Sequence, residues 1–185
     1  MRIVGGRLRG RLLSGPGSDA IRPTSDRLRE SIFNILAHAY GEPADGARVL
    51  DLFAGTGALG LEALSRGAAF ALFVDTSAGA ARLIDRNVEA LGVRGESRIL
   101  RQDATKLPPA GRERPVSLVF CDPPYGKGLA VPALAAAARG GWLEPQALLV
   151  MEEQAGASQE LPGGARLLDR RSWGGTEVTF AQLAE

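Results

Sequence analysis

From residue 48 onward, the apolar and polar positions alternate between two patterns. Short runs of β-branched and other apolar residues, typical of buried strands, are separated by stretches with helical spacing. The predicted strands cover about 48–53, 69–75, 98–103, 116–122, 148–152, 165–170 and 176–183. The predicted helices cover about 57–66, 77–92 and 129–139. This alternation predicts an α/β fold with a mostly parallel sheet and helices on both of its faces.

The last two predicted strands are joined by Trp173-Gly174-Gly175, a sequence typical of a tight hairpin turn. A hairpin is antiparallel, and antiparallel strands commonly extend a parallel sheet at one edge. We therefore expect a seven-stranded sheet that is parallel except for its C-terminal hairpin.

The first 40 residues follow a different pattern. Residues 1–24 are basic and rich in glycine, and they predict an arm with a short hairpin around Gly5-Gly6. A helix would follow to about Tyr40, capped by Thr24 or Ser25. Its apolar face would carry Leu28, Ile32, Ile35, Leu36 and Ala39. Because residues 41–47 resemble a linker, we expect an arm and helix over 1–40 and a larger domain over 41–185.

Composition narrows the class of protein. The chain has 185 residues, of which 45% are hydrophobic and 23% charged, as in ordinary soluble domains. No apolar run approaches the roughly 20 residues needed to cross a bilayer. The single cysteine, Cys121, excludes an intrachain disulfide, and with one histidine, His38, a zinc site is not expected. We expect a cytoplasmic protein without a metal.

Positive charge is concentrated near the N-terminus, although the formal net charge is only +1. The first 30 residues include seven arginines: Arg2, Arg7, Arg9, Arg11, Arg22, Arg27 and Arg29. The guanidinium group suits phosphate and stacks on bases, so this segment fits contact with a nucleic acid. A solvated surface rich in arginine would give the same pattern, and charge alone leaves both interpretations open.

The first predicted strand leads into Gly55-Thr56-Gly57-Ala58-Leu59-Gly60, which fits the pattern G-x-G-x-x-G between a strand and a helix. Asp75 ends the next strand 20 residues later, where a carboxylate can accept hydrogen bonds from both ribose hydroxyls of an adenosine cofactor. The same features fit NAD or another adenosine cofactor. A glycine-rich packing turn is the alternative.

Acidic residues at strand ends favour a cofactor other than NAD. Asp51 lies in the strand before the glycine loop and could face a cationic ligand. Asp103 ends the third strand, and Ala104 beside it would suit the exocyclic amine of an adenine. Ligands of open α/β sheets bind at the carboxyl ends of the strands, so we expect these residues to line one crevice with the glycine loop, Asp75 and Asp122.

The fourth strand ends in Asp122-Pro123-Pro124-Tyr125. The two prolines cannot donate hydrogen bonds to a sheet, and their rings fix the backbone. The carbonyl groups of Asp122 and Pro123 therefore become acceptors with set directions. Tyr125 supplies a flat ring, and Gly126 leaves room for a ligand.

The sequence FAGTG followed by DPPY resembles the Rossmann-like S-adenosylmethionine methyltransferases that modify exocyclic amino groups of bases. The segments MRIVGGRLRGRLL, IRPTSDRLRESIFNIL and DLFAGTGALGLEALSRGA extend the likeness over nearly the whole chain. Together with DPPY they resemble the RsmD family, the bacterial small-subunit ribosomal RNA (guanine-N2)-methyltransferases.

This resemblance implies a role for each candidate residue. S-adenosylmethionine would be bound by Asp51, Phe53, Gly55, Thr56, Gly57, Asp75, Asp103 and Ala104. The transfer site would be formed by Asp122, Pro123, Pro124 and Tyr125. RNA would be bound by Arg7, Arg9, Arg11 and Arg22, and the segment 22–29 would close over the cofactor or the base. The partner would be small-subunit ribosomal RNA, alone or in an assembling subunit, and the protein is expected to be a monomer.

Three other functions share parts of this pattern. An adenine-N6 or cytosine-N4 DNA methyltransferase uses DPPY too, but such enzymes usually carry a separate target-recognition domain. A glutamine methyltransferase would favour Asn at position 122. An RNA-binding module with a vestigial cofactor fold would not need the intact DPPY sequence.

Overall fold

The computed structural model describes residues 1–16, 25–157 and 160–185. Its strands are β1 (Arg48–Leu52), β2 (Phe70–Val74), β3 (Ser97–Leu100), β4 (Val116–Cys121), β5 (Leu143–Gln154), β6 (Ala165–Trp173) and β7 (Thr176–Leu183). Its α-helices are α1 (Asp26–Tyr40), α2 (Ala58–Ser65), α3 (Ala78–Leu91) and α4 (Ala130–Arg139). Among these residues, no helix is long and apolar enough to span a membrane.

The seven strands form one sheet in the order β3-β2-β1-β4-β5-β7-β6. The first five strands are parallel, whereas β7 is antiparallel to both of its neighbours. The predicted mixed α/β fold with a C-terminal hairpin is therefore confirmed. The strand order reverses direction between β1 and β4, which places a crevice at their carboxyl ends.

Three strands differ clearly in length from the prediction: β3 is shorter, whereas β5 and β6 are longer, with β6 ending at Trp173 rather than near 170. β3 ends at Leu100 rather than near Asp103, because the Asp103 carboxylate accepts the N–H of Thr105 at 2.9 Å and caps a short 3₁₀ helix, Ala104–Lys106. β5 begins at Leu143 and continues to Gln154, well beyond the predicted 148–152. Its far end is extended by antiparallel pairing with β7, up to the pair Gln154 and Thr176.

The N-terminal arm is a wider loop than the predicted hairpin. Arg2 and Leu12 form an antiparallel bridge, and a 3₁₀ helix, Gly6–Leu8, lies between them instead of a tight turn at Gly5-Gly6. Gly6 has φ of +74°, and a side chain there would overlap the backbone of Ser65 at the end of α2. A glycine at this position therefore lets the arm pack directly on α2.

A buried carboxylate, Glu62 of α2, holds the arm in place. It accepts hydrogen bonds from the N–H groups of Val4 at 2.9 Å and Gly5 at 2.8 Å. It also forms ion pairs with Arg29 at 3.3 Å and Arg66 at 2.9 Å. Glu62 and Arg29 are both fully buried. This cluster joins the arm, α1 and α2.

The buried face of α1 agrees with the predicted one at Ile32 and Leu36, and Leu28 and Ile35 pack partly buried against the core, but Ala39 does not. Ser25 caps the helix by accepting the N–H of Leu28 at 3.1 Å, whereas Thr24 lies outside the described residues. The buried positions are Arg29, Ile32, Phe33 and Leu36, while Ala39 is exposed. The prediction for Ala39 was wrong because the helix turns its Arg29 side toward the Glu62 cluster.

The arm and α1 share a hydrophobic core with the sheet. Ile3 and Leu13 of the arm belong to the same buried cluster as Phe33, Phe120 and Phe180. The rings of Phe33 and Phe120 lie 5.4 Å apart. The division of the chain into an arm and helix over 1–40 and a domain over 41–185 remains a prediction. In the structure, residues on both sides of this boundary pack into one hydrophobic core.

Candidate active site

A cavity of about 1120 Å³ opens at the carboxyl ends of β1, β2, β4 and β5. Its other walls are the first turns of α1 and the turn between β6 and β7. It is lined by most of the predicted site residues: Asp51, Phe53, Gly55, Thr56, Asp75, Asp122, Pro123, Pro124 and Tyr125. The topology thus brings together predicted residues from the ends of three strands, β1, β2 and β4, that are up to 74 positions apart in the chain.

The glycine loop forms a tight connection between β1 and α2. Gly55 and Gly57 have positive φ angles of 57° and 77°, which favour glycine. A side chain on Gly60 would lie 2.5 Å from the ring of Phe73 in β2, so glycine allows α2 to pack closely on the sheet. Asp75 accepts the N–H of Gly55 at 3.0 Å and that of Ser77 at 2.9 Å. Each of its oxygens keeps a further lone pair for a ligand.

Asp51 is a buried acid on the cavity floor. It is 1% exposed and accepts the N–H of Gly60 at 2.9 Å. Burial raises its pKa well above the ordinary value of 3.8. The hydrogen bond from Gly60 lowers the pKa in part, while the nearby charges of Asp122 and Asp75 raise it further. An ionised Asp51 would therefore be favoured by a cationic ligand in the cavity.

We expect Asp51→Asn to stabilise the ligand-free protein at about pH 8. The pKa of Asp51 is higher in the folded protein than in the unfolded chain. The contribution of Asp51 to the free energy of unfolding is therefore fully present below its pKa in the unfolded chain, and it is lost as the pH rises through its pKa in the folded protein. The variant lacks this loss, so its advantage in thermal unfolding should shrink toward about pH 4. A variant that is less stable than the wild type at about pH 8 would contradict this interpretation.

The residues after β4 are held from two sides. The hydroxyl groups of Tyr125 and the buried Thr176 lie 2.7 Å apart, which connects the Tyr125 ring to the start of β7. Gly126 donates its N–H to Glu153 at 3.1 Å, and Gln154 donates to the same oxygen at 2.7 Å. These contacts, together with the two prolines, fix the segment Asp122-Pro123-Pro124-Tyr125 against β5 and β7.

Several predicted residues lie elsewhere. Asp103 and Ala104 do not line the cavity, since β3 ends earlier than predicted and Asp103 caps the 3₁₀ helix. Its carboxylate accepts hydrogen bonds from both the N–H and the hydroxyl of Thr105, and these lower its pKa. Gly57 shapes the loop behind the cavity wall. Arg22 lies outside the described residues.

The arm arginines lie near the opposite end of the sheet. Arg7 pairs with Glu96 at 2.5 Å, and Arg11 donates to the carbonyl of Ala90 at the end of α3. Helix α3 begins at the cavity, and its 14 residues span about 20 Å. Arg9 follows Leu8, whose N–H donates to Ser65 at the end of α2. None of the three lines the cavity.

The cavity also contains residues outside the predicted catalytic and cofactor-binding set. Ser25, Arg27 and Leu28 fall within the segment 22–29 that was expected to close over the ligand, and Ser31 follows them on α1. Glu152, Gly175 and Thr176 line it from β5 and the β6–β7 turn. Glu152 is an acid at the end of the predicted strand 148–152, as Asp122 is at the end of 116–122, and that signal could have identified it. Thr176 has no comparable sequence signal, because it reaches the cavity only through the pairing of β7 with β5.

Buried Asn87 links the arm to the glycine loop. Its side-chain amide donates to the carbonyl groups of Ser14 at 3.1 Å and Thr56 at 3.0 Å. Its side-chain oxygen accepts the N–H of Ser14 at 2.7 Å. The loop conformation is therefore supported by the arm as well as by α3.

These residues fit S-adenosylmethionine. The glycine backbone permits close approach, Phe53 and Leu59 offer apolar surface, and Asp75 has acceptors for hydroxyl groups. The carboxylate of Asp51 on the cavity floor suits a cationic ligand. Within residues 1–16, 25–157 and 160–185, no group of acidic, histidine or cysteine side chains is arranged to bind a metal.

The sheet, the glycine loop and the acids around this cavity define a Rossmann-like methyltransferase that uses S-adenosylmethionine. The chain belongs to the family described as Conserved hypothetical protein 95, whose family model matches residues 1–182, and this is the RsmD family that its motifs indicated.

Relatives of known name and structure agree with this assignment. The chain is 39% identical over 154 residues to ribosomal RNA small subunit methyltransferase D of Escherichia coli, covering 83% of this chain and 75% of the relative. It is 32% identical over 176 residues to the protein of the same name from Haemophilus influenzae, covering 94% and 89%. The solved structure of the E. coli protein yhhF is similar over 100% of this chain and 98% of that one, with a TM-score of 0.83 and 34% identity.

Proposed function

We propose that this protein transfers a methyl group to the exocyclic N2 amine of a guanine in small-subunit ribosomal RNA. The observation that carries the proposal is the position of Asp122-Pro123-Pro124-Tyr125 in a cavity whose other half contains the glycine loop and Asp75. The relatives named ribosomal RNA small subunit methyltransferase D support the choice of RNA. We also propose that the protein acts as a monomer in the cytoplasm.

Asp122 and Pro123 would prepare the amine for reaction. The lone pair of an exocyclic amine is delocalised into the ring, which makes it a poor nucleophile. The side chain of Asp122 and the carbonyl of Pro123 would each accept one amine hydrogen, so that the nitrogen becomes tetrahedral and its lone pair is directed at the methyl carbon. These acceptors would also stabilise the positive charge that develops on nitrogen.

The remaining residues would align the reactants. S-adenosylmethionine, when bound, supplies a methyl group on a positively charged sulfur. Asp51, Phe53, Gly55, Thr56 and Asp75 would hold it, with Gly57 shaping the loop behind them. The nitrogen lone pair would form the new bond to the methyl carbon, and the electron pair of the broken carbon–sulfur bond would stay on sulfur. The methylated nitrogen then loses a proton to water, so no strong base is required.

Tyr125 would stack on a base that has left its helix. Its hydroxyl is 2.7 Å from that of Thr176, so the ring has a fixed orientation before RNA arrives. We expect Thr176→Val to raise the KM for RNA about 5-fold, the value of roughly one neutral hydrogen bond, with little change in kcat. Adding Thr176→Val to Tyr125→Phe should have almost no further effect. If the two effects multiply instead, the hydroxyl pair does not orient the ring.

Positive side chains at the cavity and on the N-terminal arm would bind RNA phosphates. Arg27 lines the cavity, is exposed and forms no ion pair with any residue that the structure describes. Arg9 is exposed on the arm. Arg7 and Arg11 are exposed beside it, although Arg7 already pairs with Glu96. RNA that reaches these arm arginines would have to extend past the catalytic cavity.

We expect Arg27→Ala and Arg9→Ala each to reduce the salt dependence of RNA binding by about one unit of slope. Arg27→Ala should also lower kcat/KM more than Arg9→Ala does, because Arg27 lines the cavity in which the base would react. Binding measured between about 50 and 200 mM salt tests both variants. A slope that is unchanged in Arg9→Ala would show that the arm does not touch phosphate.

The deciding experiment is transfer of labelled methyl from S-adenosylmethionine to three substrates: unmodified small ribosomal subunits, naked ribosomal RNA and duplex DNA. The modified nucleoside is then identified by mass spectrometry. N2-methylguanosine in RNA is the expected product, and the preferred form of RNA would show whether ribosomal proteins take part in recognition. N6-methyladenine or N4-methylcytosine in DNA would overturn the proposed substrate.

A further inference from the structure

The cavity has two halves with Asp122 between them. One half, at β1 and β2, holds Asp51, the glycine loop and Asp75. The other half, at β5 and β7, holds Tyr125, Thr176 and a second acid, Glu152. The proposed reaction places the cofactor in the first half and the base in the second. Glu152 therefore lies on the side of the base, and the reaction described so far does not use it.

The register of β4 and β5 points to a position for Glu152 beside Asp122. Cys121 of β4 is paired with Met151 of β5, so Asp122 and Glu152 follow at matching positions on neighbouring parallel strands. Such residues present their side chains to the same face of a sheet, with the strands about 4.8 Å apart. Glu152 is only 2% exposed, yet it lines the cavity. A buried carboxylate at the edge of a binding cavity is suited to accept hydrogen bonds from a ligand.

The edge of guanine offers a donor for this second carboxylate. In guanine the N1–H group lies next to the N2 amine, so the edge presents hydrogen-bond donors side by side. In adenine and cytosine, the ring nitrogen beside the exocyclic amine carries a lone pair and accepts. We propose that Glu152 determines specificity for guanine by accepting its N1–H, while Asp122 and Pro123 accept the two hydrogens of the amine. This inference rests on the proposed function.

Adenine or cytosine in the same position would be rejected. Their ring nitrogen would direct a lone pair at the Glu152 carboxylate, so two acceptors would face each other without a hydrogen between them. Sites built to hydrogen-bond one partner discriminate strongly against analogues that lack it. Asp122-Pro123-Pro124-Tyr125 can hold any exocyclic amine, so Glu152 supplies the selectivity that this sequence lacks.

The first test is Glu152→Gln, which keeps the shape of the side chain but adds an N–H donor that can pair with adenine or cytosine. On naked ribosomal RNA, we expect methylation of guanine to fall at least about 10-fold. The share of N6-methyladenosine or N4-methylcytidine among the products should rise by a similar factor. Glu144→Gln, an exposed glutamate at the other end of β5, is the matched control and should leave rate and products unchanged. Calorimetry with S-adenosylmethionine checks that the cofactor site is intact.

A second test needs no variant. Guanosine 5′-monophosphate and 2-aminopurine riboside 5′-monophosphate both carry the amine, but only guanine has the N1–H. As inhibitors of the wild-type reaction, the guanine compound should bind at least about 10-fold more tightly. Equal inhibition, or a Glu152→Gln variant with unchanged rate and products, would overturn the role of Glu152. If the wild-type protein methylates a base other than guanine, the proposed function itself fails, and that result is visible before any variant is made.

Discussion

Replacing Asp122 with alanine is expected to reduce methyl transfer by about 10²- to 10³-fold, the largest loss for any single residue of the site. The carboxylate accepts a hydrogen from the amine and stabilises charge that appears only during the reaction, so the effect should fall on kcat. Asp122 lies between the two halves of the cavity, whereas the glycine loop and Asp75 are on the other side of it from Tyr125. Affinity for S-adenosylmethionine should therefore change little.

Single-turnover transfer and calorimetry on the same preparation separate these two effects. Asp122→Asn keeps one acceptor oxygen and should lie between the wild type and Asp122→Ala. Asp85→Ala, which removes an exposed acid from α3, is the control for a general loss of negative charge. Equal losses of transfer and cofactor affinity in Asp122→Ala would mean that the carboxylate serves the cofactor rather than the base.

Replacing Glu62 with methionine is expected to destabilise the protein by about 3–5 kcal/mol. The substitution leaves the N–H groups of Val4 and Gly5 without their acceptor and Arg29 buried without its partner in α2. For a chain of this size, the melting temperature should fall by roughly 6–20 °C. Chemical denaturation and calorimetry measure the change directly.

Two variants with smaller expected losses of stability serve as comparisons for Glu62→Met. Arg66→Met removes a partly exposed partner of Glu62 and should cost about 1 kcal/mol. Arg7→Ala removes an exposed ion pair with Glu96 and should cost at most about 1 kcal/mol. If Glu62→Met is no worse than Arg7→Ala, the buried cluster does not hold the arm on the domain.

Much of the fold follows from local patterns, because each strand and helix has its own periodicity and boundary signals. Asp51, Asp75 and Asp122 reach the cavity as predicted, since a residue that ends a parallel strand must emerge at the same edge of the sheet. Asp103 is a residue for which this prediction fails. The strand pattern continues to that residue, but its own carboxylate forms a cap that turns the backbone, and neither Asp103 nor Ala104 reaches the cavity.

Residues whose role depends on distant pairing were harder to predict. Arg29 counts as one more positive charge in a basic segment, and only the fold shows that it is buried against Glu62, 33 positions away. Thr176 meets Tyr125 because β7 inserts between β5 and β6, an order that the turn sequence at 173–175 does not specify. Local patterns identify elements and their ends, whereas the contacts between elements depend on tertiary structure.

The position of β7 also has a consequence for how the chain folds. It follows β6 in the chain, yet among the described strands it is what joins β6 to the rest of the sheet. The β6–β7 hairpin can form quickly by itself, and we expect it then to join the exposed edge of β5 as a unit. Until β7 has left the ribosome, that edge of β5 has no partner strand. The nascent domain therefore carries an open sheet edge that is prone to aggregation or chaperone binding.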